Sequence, residues 1–149
     1  MLLYFAAPLF CRAELDFNIN LTKKIEKLGY DVFLPQRDGD KINKEPYISM
    51  ATEDRAREIF EMDKEHLFKS DIFLYILDGR IPDEGAAVAL GMAHLHTELE
   101  KKKRILVGLH TDKRAAFVNE KLNPMIFSPL DYIATSEEDL INYLKMNMK

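Results

Sequence analysis

The chain has little of what several protein classes require. It contains one cysteine, Cys11, no tryptophan, and only six glycines and six prolines among its 149 residues. A single cysteine cannot close an internal disulfide, and the four histidines are too scattered to form a Cys/His zinc cluster, so no metal is expected. The glycine and proline content excludes collagen-like and low-complexity chains, and 47% hydrophobic residues exclude intrinsic disorder. The lack of disulfides favours a reducing compartment, which we expect to be the cytoplasm.

The chain also lacks an excess of charge of one sign and any long hydrophobic run. Its 21 Lys and Arg face 25 Asp and Glu, a net charge of −4, which disfavours non-specific binding to nucleic acid. The apolar N-terminal stretch, residues 1–11, lacks the basic start of a secretory signal and is much shorter than the ~20 residues that span a bilayer. We therefore expect one domain, residues 1–149, that contacts neither nucleic acid nor membrane.

Short apolar segments alternate with segments of helical periodicity along the chain. The apolar segments predict strands at residues 2–6, 30–34, 71–77, 104–109 and 131–134. The periodic segments predict helices at residues 12–28, 51–69 and 85–100 and a last helix after residue 135 or 136.

Turn and cap residues set the limits of these elements. Gly29 is expected to end the first helix, and Thr135 or Ser136 is expected to cap the last one. Residues 36–49 are polar and include glycine and proline, which predicts a surface loop long enough to cover a site. A short turn is expected near Asn123.

The alternation of strands and helices predicts an α/β fold with a five-stranded parallel sheet, doubly wound in the flavodoxin-like manner and flanked by helices. In such sheets, ligands bind beyond the carboxyl ends of the strands, near the switch in strand order. The loops after the first three strands should therefore converge on one crevice. They bring Pro8, residues 36–38 and residues 78–85 to that place.

Asp63 lies on the apolar face of the predicted second helix. The apolar residues that share this face are Ala56, Ile59, Phe60 and Leu67. The spacing directs the carboxylate toward the core rather than toward water. Because a buried charge without a partner is unfavourable, Asp63 should have a defined hydrogen-bonding role.

Several spaced segments follow one another in a recognisable order. They are Tyr4-Phe-Ala-Ala-Pro-Leu-Phe10, Asp63 placed eight residues before Asp71-Ile, Asp78-Gly-Arg-Ile-Pro-Asp-Glu-Gly-Ala-Ala-Val-Ala-Leu-Gly91, and Asn123-Pro-Met125. Together they resemble nucleoside 2-deoxyribosyltransferases, and the resemblance covers essentially the whole chain. Agreement of several elements in order is a more specific signal than any one of them alone.

The resemblance implies a role for each matched residue. Asp83 would exchange a proton with the nucleobase ring nitrogen. Asp63 would hold sugar hydroxyls, and Tyr4 would orient the nucleophile. Asn123 would reach the 5′-hydroxyl from a neighbouring subunit, which implies a homo-oligomer. The other substrate-binding residues that it implies are Gln36 at the base edge, Gly85 and Phe10. No cofactor is expected, since neither familiar phosphate-binding glycine spacing occurs.

The chain departs from the family pattern at Ala89, which stands where the family has its nucleophilic glutamate. The resemblance implies transfer of 2-deoxyribose between nucleobases in nucleoside salvage, through an ester between that glutamate and C1′. Alanine cannot attack C1′, so this chain is expected to be inactive or strongly impaired. An engineered, substrate-trapping substitution is favoured over a natural loss, because the rest of the pattern is intact. Takeover by Asp83 or Glu84 is disfavoured, because neither coincides with position 89.

Two other functions stay open. A 2-deoxynucleoside 5′-monophosphate N-glycosidase resembles the transferases, but residues 7–12 are apolar except for Arg12, which favours a substrate with a free 5′-hydroxyl. Ala89 alone supports a non-catalytic nucleoside-binding module. Simpler structural roles also stay open for Asp83 and Glu84 as helix-terminal carboxylates, Tyr4 as a core residue and Asn123 as a turn residue.

Overall fold

The structure, a computed structural model, describes residues 1–39, 44–79, 82–112 and 122–148, so the predicted loops at 36–49, 78–85 and 110–122 lie partly outside it. Its strands are β1 (Leu2–Ala6), β2 (Asp31–Phe33), β3 (Ile72–Ile76), β4 (Ile105–Leu109) and β5 (Tyr132–Ala134). Its helices are α1 (Arg12–Glu26), α2 (Pro35–Asp38), α3 (Thr52–Lys69), α4 (Glu84–Leu99), α5 (Pro124–Phe127) and α6 (Glu137–Met146), and a 3₁₀ turn covers Tyr47–Ser49. Among the residues described, no helix has both the length and the apolarity needed to cross a membrane.

The strands form one parallel sheet in the order β2-β1-β3-β4-β5. In the register of the central pair, Leu3 of β1 lies opposite Ile72 of β3, and Phe5 lies opposite Leu74. The chain adds β2 on one side of β1 and then returns to add β3 on the other side, so the strand order switches between β1 and β3. The predicted doubly wound, flavodoxin-like sheet is confirmed.

Helices cover both faces of this sheet, and β3 is consequently buried along its whole length. α1 and α6 pack against one face, whereas α3 and α4 pack against the other through Leu67 and Leu90. Side chains of β1 alternate between the two faces, with Leu3 and Phe5 on the first and Tyr4 on the second. Tyr4 therefore lies on the side of the sheet that α3 and α4 cover.

Both predicted cap residues lie near the ends of their helices, although the helix boundaries differ by a few residues from those predicted. Gly29 has a φ of +96°, the left-handed conformation that glycine adopts freely, but α1 already ends at Glu26. Ser136 caps α6 by accepting the N–H of Asp139 at 3.1 Å. The Asp139 carboxylate accepts the N–H of Thr135 at 2.9 Å, so this side chain fixes the approach to the helix.

Two segments predicted as a loop and a turn contain short helices instead. α2 occupies the start of the predicted loop because Pro35 suits a first helical position and the Asp38 carboxylate accepts the N–H of Leu34 at 2.7 Å. Near Asn123 the chain forms α5, and the Asn123 side chain caps that helix. Local hydrogen bonds of polar side chains decide both differences.

Arg104, directly before β4, is buried although it carries a charge, with 5% of its surface exposed. Its guanidinium donates to the carbonyl oxygens of Phe68 at 2.8 Å and Ser70 at 3.1 Å, where α3 ends. It also donates to the carbonyl oxygen of Ala93 in α4 at 3.0 Å. Carbonyls at a helix C-terminus carry partial negative charge, which favours a cation there. Arg104 therefore joins α3, α4 and β4.

We expect Arg104→Met to lower the free energy of unfolding by ~3 kcal/mol, because the substitution removes three charge-assisted hydrogen bonds of a buried guanidinium, which join α3, α4 and β4. Urea unfolding followed by circular dichroism measures this loss. The matched control is Lys103→Met, since Lys103 is exposed, and its effect should stay within about 0.5 kcal/mol. Equal stabilities of the two variants would contradict the role given to Arg104.

Candidate functional site

A cavity of about 430 Å³ opens at the carboxyl end of β1, between α3 and α4. Its walls come from β1 and the following loop, from α3, and from the first half of α4. It lies at the switch in strand order, which is where doubly wound sheets bind ligands. Most of the predicted site residues line it, namely Tyr4, Phe10, Asp63, Asp83, Gly85 and Ala89.

The cavity exists because α3 is longer than the sheet that it covers. The 18 residues of α3 extend ~27 Å, whereas the five residues of β1 extend ~17 Å. Leu67, near the end of α3, is buried on the sheet, but Phe60 is 48% exposed and Ala56 is exposed as well. Only the C-terminal half of the apolar face of this helix packs on the sheet. Its first half faces the cavity.

Asp63 lies where α3 passes from the sheet to the cavity. Its Oδ1 atom is buried and has no hydrogen-bond partner among the described residues. Burial raises the pKa of the Asp63 carboxyl to about 6, and the nearby His66 opposes this shift only in part. The sequence analysis expected a hydrogen-bonding role for Asp63, and no described residue supplies that bond to Oδ1.

Tyr4 combines a core position with access to the cavity. Its ring stacks on Phe33 and Phe73, with centroids 5.5 Å and 5.9 Å away, and only 5% of its surface is exposed. Burial raises the pKa of the Tyr4 hydroxyl, and the negative charge of Asp63 raises it further. Tyr4 is thus a neutral hydroxyl group held rigidly near Asp63.

Asp83 is the N-cap of α4. Its Oδ1 accepts the N–H of Ala86 at 2.7 Å, so the structural role left open for this residue is present. The buried Tyr75 donates its hydroxyl to the Asp83 carbonyl oxygen at 2.6 Å. This hydrogen bond fixes the backbone of Asp83 relative to β3. Asp83 also lines the cavity. Sequence reasoning missed Tyr75, which lies within the apolar run of a central strand and carries no separate signal.

Small residues let the cavity reach the backbone of α4. A side chain at Gly85 would place its Cβ 3.3 Å from the Asp83 carboxylate, a tight contact. Ala89 follows one helical turn later and is half-buried at the cavity wall. Glu84 is exposed and does not line the cavity.

Two predicted site residues lie outside the cavity lining. The Gln36 side chain donates to the carbonyl oxygen of Leu15 and accepts from the Asn18 amide, each at 2.9 Å, so its hydrogen bonds hold α1 against α2. Asn18 itself was not identified from the sequence. Asn123 is exposed, and its side-chain oxygen accepts the N–H of Met125 at 2.9 Å. Within the described ranges, no three potential metal ligands come together.

We expect Asp63→Asn to stabilise the ligand-free protein by about 1–2 kcal/mol at pH 7.5. This value is smaller than the raised pKa alone would give, because solvent still screens part of the carboxylate. Since the folded-state pKa is raised, folding favours the protonated acid, and the charged form destabilises the fold as pH rises from about 4 through 6. The difference between Asp63→Asn and the unmodified chain should therefore shrink at pH 4. Denaturant unfolding at both pH values measures it.

The exposed Glu58 provides a matched control on the same helix. Glu58→Gln removes one negative charge and should change stability little at either pH. A loss of stability in Asp63→Asn at pH 7.5 would show that the carboxylate has a partner in the folded protein.

The family model of nucleoside 2-deoxyribosyltransferases matches residues 3–142 of this chain. A conserved protein from Enterococcus faecalis V583 is 27% identical, with a TM-score of 0.79 and coverage of 99% of this chain and 98% of that one. A 2-deoxyribosyltransferase from Bacillus psychrosaccharolyticus is 23% identical, with a TM-score of 0.75 and coverage of 96% and 92%. A 2-desoxiribosyltransferase from Leishmania mexicana is 16% identical, with a TM-score of 0.64 and coverage of 99% of both chains.

At these lower identities, the second and third structures establish a shared fold. No curated protein matches the chain. The family match extends over nearly the whole chain and includes every residue that lines the cavity. The chain therefore belongs to the nucleoside 2-deoxyribosyltransferase family.

Proposed function

We propose that the cavity binds a 2′-deoxynucleoside, and that the chain is a deoxyribosyltransferase of nucleoside salvage whose nucleophile position holds Ala89. The observation that carries this proposal is the buried Oδ1 of Asp63, which has no hydrogen-bond partner within the described ranges and lies on the same cavity as Tyr4 and Asp83. A sugar hydroxyl that donates to Asp63 would supply the missing hydrogen bond. The family assignment supports the same substrate class.

The shape and lining of the cavity suit a nucleoside. Its volume of about 430 Å³ falls within the range of small-molecule pockets. Phe10 and Phe60 at its rim offer ring faces on which a base can stack. Gln36 would read the base edge only after giving up its bonds to Leu15 and Asn18.

The two carboxylates of the cavity would serve opposite ends of the substrate. Asp63 would hold the sugar, and Tyr4 would donate to the reacting carboxylate when a glutamate stands at position 89. Asp83 would exchange a proton with the base ring nitrogen, which makes the base a better leaving group. Its anchoring by Ala86 and Tyr75 supports such a role, because an acid–base group acts efficiently only when its position is fixed.

The family resemblance implies two successive displacements at C1′. A carboxylate at position 89 attacks C1′, the bond from C1′ to the base nitrogen breaks, and the electron pair leaves with the base. An incoming base then attacks C1′, and the ester bond breaks. Alanine offers no lone pair for the first step, so the present chain should bind substrate and transfer slowly or not at all. This holds whether Ala89 is engineered or natural.

Ala89 also supports a second candidate, a non-catalytic nucleoside-binding module. Both candidates require the same cavity and the same contacts of Asp63 and Tyr4. They differ in whether a carboxylate at position 89 suffices for transfer. The monophosphate N-glycosidase is a weaker candidate, since the loop after β1 presents Leu9 and Phe10 to the cavity rather than phosphate-binding groups.

A homo-oligomer in the cytoplasm completes the proposal. Apolar side chains remain exposed at the cavity rim, with Phe10 78% and Val88 62% exposed, and Leu95 continues the exposed stripe along α4. A second copy of the chain would cover this stripe and bring its Asn123 to the 5′-hydroxyl of the bound nucleoside. The exposed, unpaired Cys11 suits a reducing compartment.

We expect Ala89→Glu to raise base exchange by roughly three orders of magnitude or more over the unmodified chain, because it restores the nucleophile. Exchange between deoxyinosine and adenine, followed by chromatography, measures this rate. Val88→Glu places the same charge one residue away on the helix and should stay inactive. If Ala89→Glu binds deoxynucleosides yet exchanges no purine or pyrimidine, the chain is a binding module.

Mixed oligomers test the contribution of Asn123. The double variant Ala89→Glu/Asn123→Ala should transfer at least about tenfold more slowly than Ala89→Glu alone, because it loses a contact to the 5′-hydroxyl. Subunit exchange with excess unmodified chain, which is inactive but carries Asn123, should restore its activity. Mixed oligomers without such recovery would place Asn123 outside the neighbouring site.

A further inference from the structure

Asn18 is a polar residue on the buried face of α1, the helix that covers the face of the sheet opposite to α3 and α4. Only 1% of its surface is exposed. Its neighbours on the same face of the helix, Leu21 and Ile25, pack into the core. Burying an amide is unfavourable unless its hydrogen bonds are made. The role of Asn18 must therefore be found in the groups to which it bonds.

The side-chain amide of Asn18 joins two segments at the carboxyl edge of the sheet. Its Nδ2 atom donates to the carbonyl oxygen of Pro8, which follows β1, and to Oε1 of Gln36 in α2, which follows β2, each at 2.9 Å. The Gln36 amide donates in turn to the carbonyl oxygen of Leu15 at 2.9 Å, and this bond fixes the direction in which both amides point. Both hydrogens of Asn18 Nδ2 are thus used to hold the two segments together.

The two joined segments form one wall of the cavity. Leu9 and Phe10 directly follow the first bonded residue, Pro35 directly precedes the second, and all three line the cavity. Phe10 is largely exposed, so packing within this chain does little to hold it in place. The position of the wall therefore depends on the hydrogen bonds behind it, and the Asn18 side chain donates to both segments.

Stability alone does not account for an asparagine at this position. Oδ1 of Asn18 is buried and has no hydrogen-bond partner among the described residues, and the same holds for Oγ1 of Thr22 one helical turn later. A buried oxygen without a partner lowers the stability of the fold, and a leucine of similar size would not introduce one. The hydrogen bonds to the two wall segments are what an apolar side chain could not supply.

We propose that Asn18 is a positioning residue, which ties the loop after β1 to α2 and thereby holds the cavity wall that Leu9, Phe10 and Pro35 form. This inference rests on the proposed function. Under that function the reacting groups belong to β1 and α4, and the Asn18 side chain donates to neither element. Loss of its amide should therefore weaken binding of the nucleoside without slowing the chemical step.

Calorimetric titration of the full chain with deoxyadenosine tests the inference. Asn18→Leu keeps the size of the side chain but removes both donated hydrogen bonds, so it should weaken binding at least about tenfold. The urea midpoint should stay within about 0.5 M of that of the unmodified chain, because the substitution also removes the unpaired Oδ1. A large parallel loss of affinity and urea midpoint would make Asn18 a merely structural residue and overturn the inference.

Kinetics in the Ala89→Glu background separate binding from chemistry. The double variant Asn18→Leu/Ala89→Glu should raise KM for deoxyinosine at least about tenfold over Ala89→Glu alone and should change kcat by less than about threefold. A fall in kcat with an unchanged KM would contradict a role in binding. If Ala89→Glu exchanges no base, the titration with deoxyadenosine decides the question alone.

Thr22→Val is the matched control. Thr22 is as deeply buried as Asn18 on the same face of α1, and its hydroxyl has no hydrogen-bond partner in the described part of the chain. The substitution replaces this hydroxyl by a methyl group and leaves the bonds of Asn18 in place, so the affinity for deoxyadenosine should not change. An equal loss of affinity in Thr22→Val would assign the effect to the packing of α1 and overturn the role of Asn18.

The titration also separates failure of this inference from failure of the proposed function. If the unmodified chain and Thr22→Val bind no deoxyadenosine, both are wrong. If both proteins bind it and Asn18→Leu binds it equally tightly, the positioning role is wrong while the nucleoside site stands. If Asn18→Leu does not fold, Asn18→Ala removes the same donor without added bulk and decides the question by the same affinity ratio.

Discussion

Asp63 is held in surroundings that disfavour its charge, and the rest of the cavity is arranged around it. Its Oδ1 has no partner among the described residues, and burial raises the pKa of the carboxyl to about 6. Such a group persists because stronger packing fixes its neighbours. Tyr4 is held between two aromatic rings, and Leu67 anchors the same helix on the sheet. Under the proposed function, a sugar hydroxyl would donate the hydrogen bond that Oδ1 lacks among the described residues.

Two helix N-termini border the cavity, and each is capped by a carboxylate of this chain. Glu14 accepts N–H groups at the start of α1, and Asp83 accepts one at the start of α4. The same interactions that begin the helices therefore neutralise the positive ends of their dipoles. Acidic side chains therefore help to begin both of these helices.

The side chain at position 89 contributes only a methyl group at the edge of the core. Ala89 sits at the cavity wall, and the family match spans residues on both sides of it. The packing of α4 on the sheet comes instead from Ala86, Leu90 and Ala93, which are buried. The packing that positions α4 thus rests mainly on residues other than the one at position 89. Under the proposed function, the fold and the reaction rest on different residues.

The sequence by itself determined the order of strands and helices along the chain and the parallel sheet, because periodicity and caps act over a few neighbouring residues. The motif residues that line the cavity were indicated by the resemblance to a family. Tertiary structure decided what covers those residues. Phe60 lies on the apolar face of α3, yet it lines a cavity. Helical periodicity shows which face of a helix is apolar, but it does not show what packs against that face. Gln36 bonds Asn18 and Leu15, and Tyr75 bonds Asp83, through contacts between elements distant in sequence that no local pattern encodes.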